Sequence, residues 1–199
     1  MLQFDLNDSV RDHLKLGGGI TLAALLQNNI NGHSVLTIEG LDLTGREEVE
    51  RLKSAGYRLT DFAEACLKSQ SNEGYTKSHR LVAGRQYEIA VVPGNEIADV
   101  INRRTNNLCK LAEKFGYKRP LGGVIPRIRE VVSDEQMEKM GIWYIAALHE
   151  PMRVPGNVNA FGRVLRSRRF DGGRLVDAPR DYCDPSWEDG GAFAFFGSP

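Results

Sequence analysis

The chain predicts an α+β fold: a helix-rich N-terminal two-thirds holding a few strands, then a C-terminal antiparallel β-meander. Three observations predict it. Before residue 141, apolar residues recur mostly at helical spacing, most clearly over 97–115, where Ile97, Val100, Ile101, Leu108, Leu111, Ala112 and Phe115 form one stripe. Cap residues precede several of these segments. The last sixty residues instead hold short apolar runs split by turn signals, chief among them Asp171-Gly172-Gly173.

Taken in order, residues 2–14 are weakly helical, with Asn7 or Asp8 able to cap a turn. Gly17-Gly18-Gly19 breaks the chain, and 20–27 is a short apolar helix candidate. Residues 34–39 (SVLTIE) alternate and are β-branched, so they read as a strand. Thr44 stands three residues before Glu47, a capping box for a helix over 46–55 that Gly56 ends. Thr60 caps the next helix, 61–69. A polar loop spans 70–79, and strands over 79–82 and 86–92 flank the turn Ala83-Gly84-Arg85. Helix 97–115 follows and Gly116 closes it. The stretch 118–123 is a loop and a possible sub-boundary, but it lacks linker composition, so 1–199 reads as one domain. Pro126 suits the first turn of a helix reaching 132. Ser133 caps another, with Asp134 and Glu135 at its positive end and Gly141 after it. Residues 142–148 (IWYIAAL) are a strand buried on both faces, 158–169 and 173–178 form a hairpin, and 191–196 (GAFAFF) is the last strand.

Bulk composition is that of an ordinary globular protein: 41% apolar and 26% charged. The net charge of zero hides segregation. Residues 101–130 carry +6 and 161–180 carry +4, while 1–100, 131–160 and 181–199 carry −4, −2 and −4. A pI near 6.9 argues against a dedicated, nonspecific DNA-binding domain. Cys66, Cys109 and Cys183 are odd in number and lack C-x-x-C spacing. That argues against a disulfide framework or zinc ribbon and predicts a reduced, cytoplasmic chain without metal or cofactor. Residues 1–16 lack the apolar core of a signal peptide, and no apolar run approaches the ~20 residues a membrane span needs.

Two sets of residues carry candidate chemistry. The first is basic. On a continuous helix, Arg104 would project into the apolar stripe, while Arg103, Asn107, Lys110 and Lys114 would share another face, continued by Lys118 and Arg119. Arg163, Arg166, Arg168, Arg169 and Arg174 populate the hairpin without a lysine among them, and arginine favours bidentate contact with carboxylate or phosphate. The bland counterpart is a solvated or internally paired face. The second set is His149 and Glu150 at a strand end, with Asp181, Asp184 or Cys183 as partners in an acid–base or thiol–imidazole arrangement. Its bland counterpart is a histidine that holds a loop carbonyl. Gly17-Gly18-Gly19 lacks the Lys-Ser/Thr of a phosphate-binding P-loop and reads as a turn. Trp187, among the acids of 181–189, is a possible partner anchor.

The sequence therefore ranks first a non-enzymatic binding protein. Its basic helix and arginine hairpin would contact a nucleic-acid backbone or an acidic protein, with no membrane involved. The acidic 181–189 segment of one copy could meet the arginines of another in a homo-oligomer. The alternative is a small hydrolase or transferase using His149, Glu150, Asp181 and Cys183.

Overall fold

The computed structural model describes residues 29–154, 162–171, 173–181 and 186–197. The expected helices over 2–14 and 20–27, the glycine triplet, Cys183 and Asp184 lie outside the described residues. Eight strands form one mixed sheet. They are β1 (Asn29–Ile30), β2 (His33–Glu39), β3 (Arg58–Leu59), β4 (Gln86–Pro93), β5 (Tyr144–Ala147), β6 (Arg166–Arg168), β7 (Leu175–Asp177) and β8 (Gly191–Phe196), in spatial order β1-β2-β4-β8-β5-β6-β7-β3. The helices are α1 (Gly45–Ser54), α2 (Asp61–Lys68), α3 (Tyr75–Ser78), α4 (Thr105–Lys114), α5 (Val124–Val131) and α6 (Asp134–Lys139).

This order overturns the expected division into a helical part and a C-terminal meander. β5, β6 and β7 do pair antiparallel, but β8 leaves them. It inserts between β4, antiparallel, and β5, parallel, so strands from both ends of the chain share one sheet. β3 closes the far edge, parallel to β7. The physical reason lies in β8 itself. Both faces of Gly191–Phe196 are apolar, and all but Phe196 are buried. A strand apolar on both faces belongs in the sheet interior, because an outer position would leave one face and one row of amides uncovered.

Each face of the sheet has its own core. Ile38, Ile89, Ala194, Ile145 and Val176 point to one side, where Leu52 of α1, Cys66 of α2, Ile128 of α5 and Met137 of α6 cover them. Val92, Phe193, Phe195, Tyr144 and Ala146 point to the other, against Leu108, Cys109 and Ala112 of α4 and against Trp187. Phe193 stands between Val92 and Ala146, so its large ring has smaller neighbours on both sides. Gly191 pairs with Tyr144, and a Cβ there would lie 1.9 Å from the phenol ring. Only glycine fits beneath that ring, whose hydroxyl donates to the Glu188 carbonyl at 3.0 Å.

Local signals hold where they are strongest. Thr44 and Glu47 form the expected capping box, Thr60 caps α2, and Ser133 caps α6 with Gln136 closing a second box. Gly56, Gly116 and Gly141 have φ near +79°, +78° and +69° at the ends of their helices. The continuous helix over 97–115 does not form. Two 3-10 turns (Gly94–Glu96 and Val100–Arg103) precede α4, and Arg104 is the extended N-cap residue of α4, with φ −79° and ψ 144°. Asp99 provides the reason: its carboxylate accepts from the Ile101 amide at 3.0 Å, starting a new turn inside the apolar period. Arg104 therefore never enters the stripe, and Val100 and Ile101 remain exposed. The strand expected over 79–82 is also absent, since its residues lead from α3 into a turn before β4.

The helical layer on the first face is tied by charge. Glu48 of α1 is buried, and its Oε1 accepts from Arg51 at 2.7 Å and from Arg127 of α5 at 2.5 Å. Both arginines also reach Glu130, which closes a ring of two guanidiniums and two carboxylates. Removing one member of such a ring leaves buried charge uncompensated. Glu48→Ala is expected to destabilise the fold by about 3–5 kcal/mol in urea unfolding; a loss below about 1 kcal/mol, the scale of an exposed pair, would show that the ring does not hold the helices.

Candidate functional site

Most hairpin arginines turn out to be structural. Arg166 forks onto the paired strand, with Nε to Asp177 Oδ1 at 2.8 Å and Nη2 to Oδ2 at 2.6 Å, and Asp177 is only 10% exposed. Arg168 reaches the same carboxylate at 3.8 Å and lies over the Trp143 ring. Arg169 pairs with Glu138 at 3.3 Å. Arg163 donates to the Ala178 carbonyl at 2.7 Å and stacks on Phe62, while Arg174 donates to the Tyr57 hydroxyl. β6 and β7 lie inside the sheet, between β5 and β3, so this is no free ribbon.

The basic helix divides in two. Arg103 is fixed by the carbonyls of Trp187 (3.0 Å) and Ile97 (2.6 Å). Trp187 is buried in the second core and its Nε1 donates to Thr105 Oγ1 at 3.1 Å, so it is an internal anchor for the acidic segment. Lys110 and Lys114 remain exposed on α4, where they help line a pocket of about 520 Å³.

His149 is fully buried after β5. Its Nδ1–H donates to the Glu150 carbonyl at 2.6 Å, and its Nε2 accepts the Leu165 amide at 2.9 Å. His79 packs beside it, ring centroids 4.7 Å apart, and its Nδ1 accepts the Gly122 amide at 3.2 Å. Burial depresses both imidazoles, His79 to about 4 and His149 to about 3, and the neighbouring His79 pushes His149 further down. Both are neutral wedges under a loop, and His149 has no ring nitrogen left for proton transfer. Burial also pushes the Cys109 thiol up, against the pull of Arg119 beside it.

Above these rings lies a cleft of about 720 Å³. Its position follows from topology. β5 and β8 are the parallel pair at the sheet centre, and ligands of mixed sheets favour the carboxyl ends of such strands. Glu150 and Pro151 follow β5 there. Lys118 pairs with Phe196 at the end of β8 and carries the chain into Arg119, Pro120 and Leu121 on the cleft wall. Gly122 lies beneath, and a Cβ there would lie 2.4 Å from Met152 Cε, so that methyl group would have to shift. Asp181 joins from the other side, accepting from Thr105 Oγ1 at 2.6 Å. Sequence reasoning named Glu150 and Asp181, and the structure brings both to this cleft. It missed Arg153 and Glu73, and it counted Arg119 only with the basic helix. Their one available signal was the placement of Arg119 and Arg153 beside prolines in charged loops.

The ion pairs of the cleft differ in kind from the Arg166–Asp177 fork of the hairpin and resemble its exposed Arg169–Glu138 pair. Arg119 Nη1 meets Glu150 Oε1 at 2.6 Å, but Glu150 is 76% exposed. Arg153 meets Glu73 at 3.4 Å, and Glu73 is 62% exposed. Such solvated pairs contribute ~0–1 kcal/mol and open readily, whereas breaking the buried Arg166–Asp177 fork strands a charge.

Among the described residues, no group of three His, Cys, Asp or Glu side chains is arranged to hold a metal ion, and no helix is long and apolar enough to cross a membrane. No protein-family model, curated protein or solved structure matches this chain.

The two imidazoles set a pH dependence. Their folded pKa values lie below the ordinary 6.5, so the unfolded chain takes up protons first. Their contribution to stability is complete above that value and is lost as pH falls through about 4 for His79 and about 3 for His149. Imidazole NMR signals at pH ~5, between the free and folded values, are expected to report neutral rings for both; protonation of either near 6.5 would refute the wedge role.

Proposed function

We propose that this chain is a binding protein for a small ligand carrying both a carboxylate and an ammonium group, held in the cleft at the carboxyl ends of β5 and β8. One observation carries the reading: among the described residues, the carboxylates that meet the two guanidiniums of the cleft are both highly exposed, so each ion pair can open and offer both of its charges. The guanidinium takes the ligand's carboxylate and the freed glutamate takes its ammonium. Charge counting argues against a purely anionic ligand. Arg119 and Arg153 stand against Glu73, Glu150 and Asp181, a formal charge of −1. A dianion would deepen that imbalance, whereas a zwitterion leaves it unchanged. Pro120, Leu121 and Pro151 supply apolar wall, as small-ligand sites require.

Binding is favoured over hydrolysis or transfer by the state of the histidines. His149 has both ring nitrogens in hydrogen bonds to the chain itself, and His79 is held neutral by burial. A partner docked on the arginine hairpin has less to recommend it, because the nearly buried Asp177 and the Ala178 carbonyl already hold Arg166 and Arg163.

Titration with the common amino acids, with succinate and putrescine as single-sign controls, tests the reading. At least one amino acid is expected to shift the amide signals around Arg119 and Glu150 and to bind about tenfold tighter than either control. Arg119→Ala with Arg153→Ala is expected to remove that binding while Tm stays nearly unchanged, since exposed pairs add only ~0–1 kcal/mol. Equal binding of succinate, or full binding by the double variant, would overturn it.

A further inference from the structure

The break in the helix expected over 97–115 leaves a second pocket, of about 520 Å³, between the 3-10 turns and α4. It is separate from the cleft and does not rest on the reading of it. On one side Lys110 and Lys114 stand one turn apart on α4. No carboxylate of the described residues lies within ion-pair distance of either, in contrast to the lysines of α1 and α2, which share Glu64. Like charges four residues apart on a helix repel, and a bound anion relieves that repulsion. The segment before α4 brings the opposite chemistry: Glu96 and Asp99 are acceptors, and Asp99 already uses Oδ1 to cap the Ile101 amide. Asn102 and Asn107 add amides that can donate and accept, and Asn107 is oriented by its bond to the Ile101 carbonyl at 2.9 Å.

We propose that this pocket binds a sugar phosphate. Two ammonium groups suit the phosphate oxygens, while carboxylates and amides suit hydroxyl protons. Glu96 Oε2 lies 3.5 Å from His33 Nε2 and Asp99 Oδ1 holds the Ile101 amide, but a phosphate alone would bring both carboxylates only a further anion, whereas a polyol attached to it gives their remaining oxygens donors. Ile97 and Leu111 offer an apolar surface to the C–H face of a sugar ring. Among the described residues no aromatic ring lines the pocket, so a nucleobase would find no stacking surface.

Calorimetric titration of the full chain with glucose 6-phosphate, ribose 5-phosphate, inorganic phosphate and glucose tests the proposal. At least one sugar phosphate is expected to bind about tenfold tighter than inorganic phosphate or glucose. Lys110→Ala with Lys114→Ala is expected to weaken it by about tenfold or more with Tm unchanged or raised. Glu96→Gln with Asn102→Ala is expected to weaken the sugar phosphate but not inorganic phosphate. The Arg119 and Arg153 substitutions are expected to leave it intact, which keeps this result apart from that of the cleft. Equal affinity for inorganic phosphate would reduce the pocket to an anion site and overturn the proposal, as would undiminished binding by the lysine variant or no binding at millimolar concentration.

Discussion

Burial of one strand on both of its faces organises this molecule. β8 is short and apolar throughout, with Phe193 and Phe195 on one face and Ala192, Ala194 and Phe196 on the other. Its amides need neighbours on both edges, and its two faces need covering layers. β4 and β5 supply the edges, α1, α2 and α5 cover the alanine face, and α4 with Trp187 covers the phenylalanine face. With β8 at the centre, β5 runs parallel to it, and their carboxyl ends open at one rim. The cleft is a consequence of that placement: the loops after β5 and beside β8 have to turn there, and they bring Glu150 and Arg119 together.

Which charges can meet a ligand is decided by what their partners do. A guanidinium forked onto a nearly buried aspartate, as in Arg166–Asp177, is part of the sheet, because opening the pair would strand the acid. A guanidinium paired with a solvated glutamate, as in Arg119–Glu150, loses little on exchange. The surface arginines of the sequence thus sort by the burial of the carboxylate opposite them, a property set by tertiary structure. The same logic leaves Lys110 and Lys114 as cations without a close acid among the described residues.

Short-range chemistry was readable in the chain. Thr44 with Glu47, Thr60 and Ser133 declared their helices, because capping satisfies amides within three residues. Gly56, Gly116 and Gly141 declared the ends, because only glycine adopts positive φ there at little cost. The doubly buried character of 144–147 was readable from its unbroken apolar run. Strand order was not, because GAFAFF specifies that both faces be covered without naming the neighbours that cover them. The helix over 97–115 failed for a related reason: periodicity reports which residues want burial, and Asp99 capping a new turn changed the path while Ile97 and Leu108 were still buried. Of the candidate site, Glu150 and Asp181 were visible as acids near a strand end. Their pairing with Arg119 and with Thr105 depends on contacts across 31 and 76 residues, beyond any local pattern.

Native-state hydrogen exchange tests the placement of β8 most directly. The account predicts that amides of β8 and β5 are among the last to exchange, opening together with β4 at the free energy of global unfolding. Fast exchange of the β8 amides, separately from β4 and β5, would mean that the strand lies at an edge or docks late, and the account of the sheet and of the cleft at its rim would be wrong.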